Sequence, residues 1–407
     1  FWVQGKRLWS FNRAMTPRTG AVAMRAACVA VLLACGGALA PAPRREGLRG
    51  APAPGDDRPA SQSSGEFSAP AAARRRTVAL AAAQRRGVVV RSAVVPDQAA
   101  ATATAKFTEA REVEKSYTRC GEITKIFSKT FYFGTSFFED AKKRAVWAIY
   151  VWCRRTDDIV DSPLATMLGP ERMTDDLAKW EERLERIWVG EPTDSLDMAL
   201  ADAKKRYPAL DIQPYKDMIL GMLMDTPGHA LFQARYATWE ELEVYCYRVA
   251  GTVGLMTLPV LGTEAGCTLA EARDPALSLG IAFQITNILR DVGEDALRGR
   301  IYLPQADMDK FGVTEKQIMD GIVNENYVNL LKFEMDRAQK YYDHAAEGVL
   351  MLAPEAQLAV AVALEVYKEI LNKIVLNNYD NFRKRAYVNK TEKFLLLPRA
   401  YMSIQKK

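Results

Sequence analysis

Asn287, Asp291 and Asp295 recur every four residues within "QITNILRDVGEDALRGRIYLP" (284–304). Four residues is about one helical turn, so an amide and two carboxylates share one stripe of a helix. A second acidic set stands in "RRTDDIVD" (154–161), where Asp157 and Asp161 repeat that spacing and Asp158 lies beside them. Like charges one turn apart repel. Yet both sets close runs that are otherwise apolar, "AVWAIYVW" before the first and "ALSLGIAF" before the second. An acidic helix end is most often a solvated surface, but a carboxylate on a face that should be buried needs a partner. Divalent cations supply one. Donors that are all oxygen suit a hard ion, Mg²⁺ or Mn²⁺, which shares its shell with water and phosphates. Two such rims facing each other would grip a diphosphate.

Composition closes other routes. The chain has two histidines, His229 and His344, and six cysteines without a CxxC pair. A zinc site and His-dependent hydrolysis are therefore disfavoured. Residues 1–100 hold 15 Lys and Arg against 5 Asp and Glu, whereas the whole chain of 407 has 55 against 50. Residues 101–407 thus carry a net charge of −5 and no basic tract, which argues against a nucleic-acid partner. The first hundred residues read as a targeting leader: rich in Ala, Arg, Ser and Pro, poor in acids, and without sustained periodicity. Within them "AACVAVLLACGGALA" (26–40) has the length of a signal-peptide core and is too short to span a bilayer. Arg-rich sequence follows, such as "RRR" at 74–76. This resembles the two-part leaders of algal plastids of secondary origin, a simple organelle transit peptide or disordered tail being the alternative, and the mature protein is expected to start near residue 100.

The acidic sets must be held by helices. Apolar residues recur at helical spacing in 141–161, 239–258, 276–297 and 356–382. Breakers punctuate them at Ser162-Pro163, Gly169-Pro170, Glu191-Pro192, Tyr207-Pro208, Pro227-Gly228 and Asp274-Pro275. No strand alternation competes. Residues 101–407 are expected to form a single all-α domain, a bundle of long helices around a central cavity.

"RRTDDIVD" and "NILRDVGEDALRGRIYLP" together resemble the head-to-head prenyl synthases, the squalene/phytoene synthase family. The resemblance extends over about 115–402, through "SKTFYFGT" (128–135), "DIQPYKDMILGMLMD" (211–225), "YCYRVAGTVGLMTLPVLG" (245–262) and "NNYDNFRKRAYV" (377–388). The plant and algal branch is the most similar. The resemblance implies an isoprenoid-synthase fold. It also implies a prenyltransferase that condenses two C20 geranylgeranyl diphosphates to phytoene through a cyclopropyl diphosphate, the first committed step of carotenoid biosynthesis, with Mg²⁺ or Mn²⁺ and without NADPH. Squalene or dehydrosqualene synthesis from C15 farnesyl diphosphate is the alternative within the family, and an inactive assembly protein the alternative outside that chemistry.

Roles follow residue by residue from the resemblance. Asp157, Asp158 and Asp161 match the first acidic motif; Asn287, Asp291 and Asp295 match the second. Asp157, Asp161, Asn287, Asp291 and Asp295 would be the metal ligands. Arg154 and Arg290 match diphosphate-binding arginines. Ser128, Thr130, Tyr150, Tyr245, Gln284, Arg300 and Tyr379 match further substrate-binding positions. The hydroxyls of Ser128 and Thr130 could equally cap a helix, and buried tyrosines could be plain core. Phe131, Phe133, Trp147, Trp152 and Phe283 are placed to wall a cavity for cationic intermediates, although at helical spacing the default is core. Gly251 and Gly254 either bend a helix or admit close packing. The sequence departs from the family at Asp158, where plant members carry Glu, and in a longer, less basic 226–236. An oily product leaves most readily into lipid, yet no segment beyond residue 100 reads as spanning a bilayer. The apolar and basic stretch 390–407 suits peripheral membrane contact. Association with neighbouring isoprenoid or carotenoid enzymes is a further expectation.

Overall fold

Most of the breakers fall where helices end, because each removes a backbone donor or takes a conformation the helix cannot continue. The structure is a computed structural model and describes residues 98–128, 132, 135 and 138–405. The expected leader, residues 1–100, lies outside these apart from Gln98–Ala100. In chain order the helices are α1 (Gln98–Phe127), α2 (Asp140–Asp161), α3 (Pro163–Leu168), α4 (Pro170–Trp188), α5 (Ser195–Arg206) and α6 (Gln213–Met224). Then come α7 (Trp239–Cys246), a π-helical turn π1 (Tyr247–Gly251), α8 (Thr252–Leu261), α9 (Leu269–Leu297), α10 (Gln305–Phe311) and α11 (Glu315–Met319). The last are α12 (Glu325–Val349), α13 (Pro354–Leu376), α14 (Lys390–Leu395) and α15 (Leu397–Ser403). Among the described residues there is no strand, only an isolated bridge between Thr263 and Leu352. Residues 109–407 belong to one compact unit.

Two boundaries differ from the sequence reading. Pro275 does not start α9; it lies inside it. The helix begins earlier because Thr268 and Glu271 form a capping box, with the Thr268 hydroxyl accepting from the Glu271 amide at 3.2 Å and the Glu271 carboxylate accepting from the Thr268 amide at 2.8 Å. That cap outweighs the single ladder bond lost at proline. At the other end, α13 stops at Leu376, short of residue 382, because Asn378 and Tyr379 both take left-handed backbone (φ 58°).

Helix α9 is the axis of the unit. Every residue from Ser278 to Gly293 is buried, and α8, π1, α12 and α13 pack around it. The approach is closest at glycines. A Cβ on Gly280 would lie 2.5 Å from the Ala250 carbonyl oxygen, and one on Gly254 2.6 Å from that of Ala276. A Cβ on Gly251 would likewise run into the Leu277 side chain. Both glycines of "VAGTVG" therefore admit close packing, and Gly251 closes π1, a helical irregularity of a kind frequent at functional sites. The segment Trp239–Leu261 is by length and composition apolar enough to cross a membrane, but 72% of its most apolar stretch is buried inside the protein. It is a core helix.

The C-terminal end of α2 is fixed from outside. Trp180 donates its indole N–H to the Thr156 hydroxyl at 2.8 Å. Arg155 and Arg183 flank the Trp180 ring at 4.6 and 5.4 Å and both reach the buried Asp197, at 3.0 and 2.7 Å. This lattice holds α2, α4 and α5 together next to the first acidic set.

Candidate active site

The acidic ends of helices α2 and α9 act on common neighbours, Asp225 and Arg300, and the carboxylates there fall into two kinds. Asp158 and Asp291 are neutralised by arginines. Arg154 Nε donates to Asp158 at 3.0 Å, with Nη2 on the other oxygen. Arg290 holds Asp291 in the same two-pronged way, Nε to Oδ1 at 2.8 Å, while Arg385 Nη2 stands 3.4 Å from that oxygen. The planar guanidinium fits both oxygens of a carboxylate at once.

The others have no such partner. Asp157 is half-buried, and its carboxyl is held well above the ordinary carboxylate range by burial and then by the charge of Asp161. Asp161 is raised in the same direction by the protein around it, against Arg300, Arg298 and Arg154. Since Asp161 is exposed at the helix end, solvent screens it and its perturbation is the weaker of the two. Asp295 is pushed up to about 7 by burial and the neighbouring Asp291. In each case burial outweighs whatever positive charge stands nearby, and no guanidinium clasps these carboxylates. Arg298 and Arg300 act on Asp161 and Asp295 alike, so the ends of α2 and α9 share one electrostatic space.

A residue that sequence reasoning missed ties them together. Asp225, at the end of α6, is 9% exposed. It accepts hydrogen bonds from the hydroxyls of Tyr245 at 3.0 Å and Tyr302 at 3.3 Å, and Arg300 clasps both its carboxylate and its carbonyl oxygen, the latter at 2.7 Å. Burial still holds the Asp225 carboxyl above its usual range. Asp225, Tyr302, Arg298 and Arg385 all lie in or beside segments singled out above. The available signal for Asp225 was an acid closing an apolar helix, as in the other two sets.

The remaining expected residues are placed as follows. Asn287 is buried, donates to the Gln284 side chain at 3.3 Å, and leaves its own Oδ1 without a partner. Arg154 Nη1 and Ser128 Oγ are also buried without partners, so the Ser128 hydroxyl caps no helix. Tyr150 lies one turn before Arg154 and is half-buried against the core. Thr130, Phe131 and Phe133 lie outside the described residues. Tyr379 is half-buried against the core, with Lys332 over its ring at 5.9 Å. Trp147, Trp152 and Phe283 are core: Trp152 packs on Trp180 and Tyr215, Phe283 on Tyr342 and Tyr367.

The family model for squalene/phytoene synthase matches residues 124–392, which include both acidic sets and Asp225. The chain belongs to the squalene/phytoene synthase family. Among its relatives, the 15-cis-phytoene synthase of Synechocystis sp. is 47% identical over 301 residues, covering 72% of this chain and 86% of the relative. The chloroplastic phytoene synthase of Daucus carota is 48% identical over 291 residues, 71% of each chain. Among solved structures, a dehydrosqualene synthase superposes with a TM-score of 0.63 at 33% identity, covering 74% of this chain and all of that one. A squalene synthase from Alicyclobacillus acidocaldarius gives 0.59 at 25% identity, covering 66% and 96%. These neighbours share the isoprenoid-synthase helical fold with this chain.

Proposed function

We propose that the chain is a prenyltransferase that joins two geranylgeranyl diphosphates head to head to give phytoene, and that Asp157, Asp161, Asn287, Asp291 and Asp295 hold Mg²⁺ or Mn²⁺ against the diphosphates. What supports this is that the carboxylates no guanidinium clasps, Asp157 and Asp161 on α2 and Asp295 on α9, lie at two helix ends on which the same residues, Asp225, Arg298 and Arg300, act. The residues fit the ion. All donors are oxygen, Asp157 and Asp295 hold raised carboxyls, and the Asn287 Oδ1 is buried and unpartnered. Among the described residues no three carboxylates already converge as a ligand set, so diphosphate oxygens and water would complete the shell. When bound, the ion neutralises the charge that develops on the departing diphosphate.

The chain's own residues do the rest. Arg154, with Nη1 free of protein partners, and Arg290 meet phosphate oxygens. Asp158 and Asp291 keep these guanidinium groups oriented until substrate arrives. Asp225 orients Tyr245 and Tyr302 and anchors Arg300. Gln284 orients the Asn287 amide. The reaction needs no reductant, which separates it from squalene synthesis. Incubating the protein with Mg²⁺ and C20 or C15 diphosphate without NADPH tests this. Phytoene from the C20 substrate is expected; a C30 product alone, or no hydrocarbon, overturns it.

The chloroplastic relatives support a plastid address. Residues 1–100 supply it, and a fluorescent fusion of that leader should enter the plastid of a suitable alga; cytosolic retention refutes the assignment. For product release, the stretch 383–407 carries eight Lys and Arg against one acid, Glu392. There Phe394, Leu395 and Tyr387 are 63–70% exposed. Charge and apolar surface together suit an anionic bilayer. Co-sedimentation with anionic liposomes is expected, and its loss in Phe394→Asp/Leu395→Asp. A wild-type protein that stays in the supernatant sinks the membrane contact and leaves a neighbouring enzyme to take the product.

A further inference from the structure

Behind the second acidic stripe, the turn that follows α13 is fastened to the middle of α9. Asn378 and Tyr379 are non-glycine residues in left-handed backbone, a conformation that persists where the surroundings enforce it. It brings Asn381 back against α9, where it is 6% exposed. Asn381 Nδ2 donates to the Leu289 carbonyl oxygen at 2.5 Å, and its Oδ1 accepts from the Tyr327 hydroxyl at 2.6 Å. Gly293 is what lets the turn come so near. A Cβ there would lie 2.6 Å from the Phe382 Cα and 2.9 Å from the Asn381 carbonyl oxygen, and neither backbone atom can swing aside.

The geometry of a helix gives this contact its meaning. At about 100° per residue, Leu289 and Gly293 lie on the side of α9 opposite Asn287, Asp291 and Asp295. The Leu289 carbonyl already has a place in the helical ladder, so an extra amide is not needed to satisfy it. A leucine would fill the same volume. A buried asparagine with both ends engaged instead sets the depth and rotation of the helix at one point.

We propose that Asn381 is a positioning residue. Held by Tyr327, it locks α9 from behind so that Asn287, Asp291 and Asp295 meet cation and diphosphate at a fixed spacing. This rests on the reading of that stripe as a metal rim. A displacement of a fraction of an ångström at the back of the helix is passed to the front, because the buried helix moves as a unit.

The full-length variants Asn381→Leu, Asn381→Ser and Tyr327→Phe test it, with Asp291→Asn alongside. Three quantities are measured: melting temperature, Mn²⁺ binding in the presence of inorganic diphosphate by electron paramagnetic resonance, and kcat and KM separately. Asn381→Leu should weaken Mn²⁺ binding by about 10-fold or more and lower kcat by a larger factor than it raises KM. Tyr327→Phe, which keeps the amide on Leu289, should shift both in the same direction by less. A purely structural asparagine would lower the melting temperature and leave binding and kcat of the folded protein alone; that result overturns the proposal. If Asn381→Leu does not fold, wild-type binding and kcat in both Asn381→Ser and Tyr327→Phe overturn it equally. Wild-type Mn²⁺ affinity in Asp291→Asn is a separate failure: it removes the metal rim itself, and the proposal with it.

Discussion

The Arg290 guanidinium lies side-on to the carboxylate of its chain neighbour Asp291, Nε to Oδ1 at 2.8 Å, with both residues less than one-tenth exposed. Asp157, on α2, has no such clasp and its carboxyl is held high. Two aspartates with matching roles in sequence thus have opposite energetics before substrate binds.

Substituting each by asparagine separates them. Both changes should lower turnover by on the order of 10²-fold, as expected for groups that stabilise developing charge. Asp157→Asn should leave the melting temperature unchanged or raise it, through relief of repulsion worth a few tenths of a kcal/mol. Asp291→Asn should lower stability by about 2–4 kcal/mol, because a buried guanidinium loses its counter-charge. Thermal unfolding and steady-state assays check both; equal stability of the two variants would refute the distinction.

Removing divalent metal should abolish activity and leave the helical fold in place. The carboxylates that no guanidinium clasps, Asp157, Asp161 and Asp295, belong to α2 and α9, and both helices bury long apolar runs. Turnover in EDTA, then after added Mg²⁺ or Mn²⁺, is the measurement, with far-ultraviolet circular dichroism alongside. Full activity in EDTA would end the metal assignment.

Away from the acidic sets, burial pushes the Glu334 carboxyl up to about 7 from its ordinary 4.5, despite Arg337, with Asp307 adding to the rise. A folded state that holds this proton more tightly than the unfolded one loses stability as pH climbs from 4.5 to about 7, then levels off. The stability of the wild type relative to Glu334→Gln should therefore fall across that window by on the order of 2 kcal/mol. Denaturant titrations of both proteins at pH 5 and pH 8 measure it. A constant difference would show that Arg337 keeps the carboxylate ionised throughout.

Gly280→Ala should destabilise the fold by about 1–3 kcal/mol, since the added methyl group meets the Ala250 carbonyl oxygen and the Gly251 Cα rather than a movable side chain. Gly299→Ala gives a contrast of mechanism: space is open there, and the strain comes from a φ of +75°. A neutral Gly280→Ala in thermal unfolding would mean that α9 can back away from π1.

Much of this was legible in sequence because it depends on local chemistry. The apolar spacing of 141–161 gave α2, and Ser162-Pro163 and Gly169-Pro170 end helices by excluding helical backbone. The acidic sets were visible because carboxylates stand out in apolar runs. The start of α9 was misplaced because a capping box at Thr268 and Glu271 outweighs the usual reading of proline. The end of α13 was misplaced because the apolar spacing was followed past Asn377 and Asn378, although Asn tolerates left-handed backbone and marks a turn. Asp225 was overlooked because its partners Tyr245, Arg300 and Tyr302 are 20, 75 and 77 residues away. The division of acids into neutralised and un-neutralised kinds depends on side-chain reach, which spacing alone does not fix.

The burial of Trp239–Leu261 has a consequence for the life of the chain before it folds. These 23 residues meet the length and apolarity of a membrane span, and only the finished protein covers them. Any passage that carries the polypeptide unfolded through a lipid-embedded pore offers this stretch a sideways exit into the bilayer. Escape there competes with arrival. Rapid docking of α9 onto its glycines, or a chaperone that holds the segment until then, decides which wins.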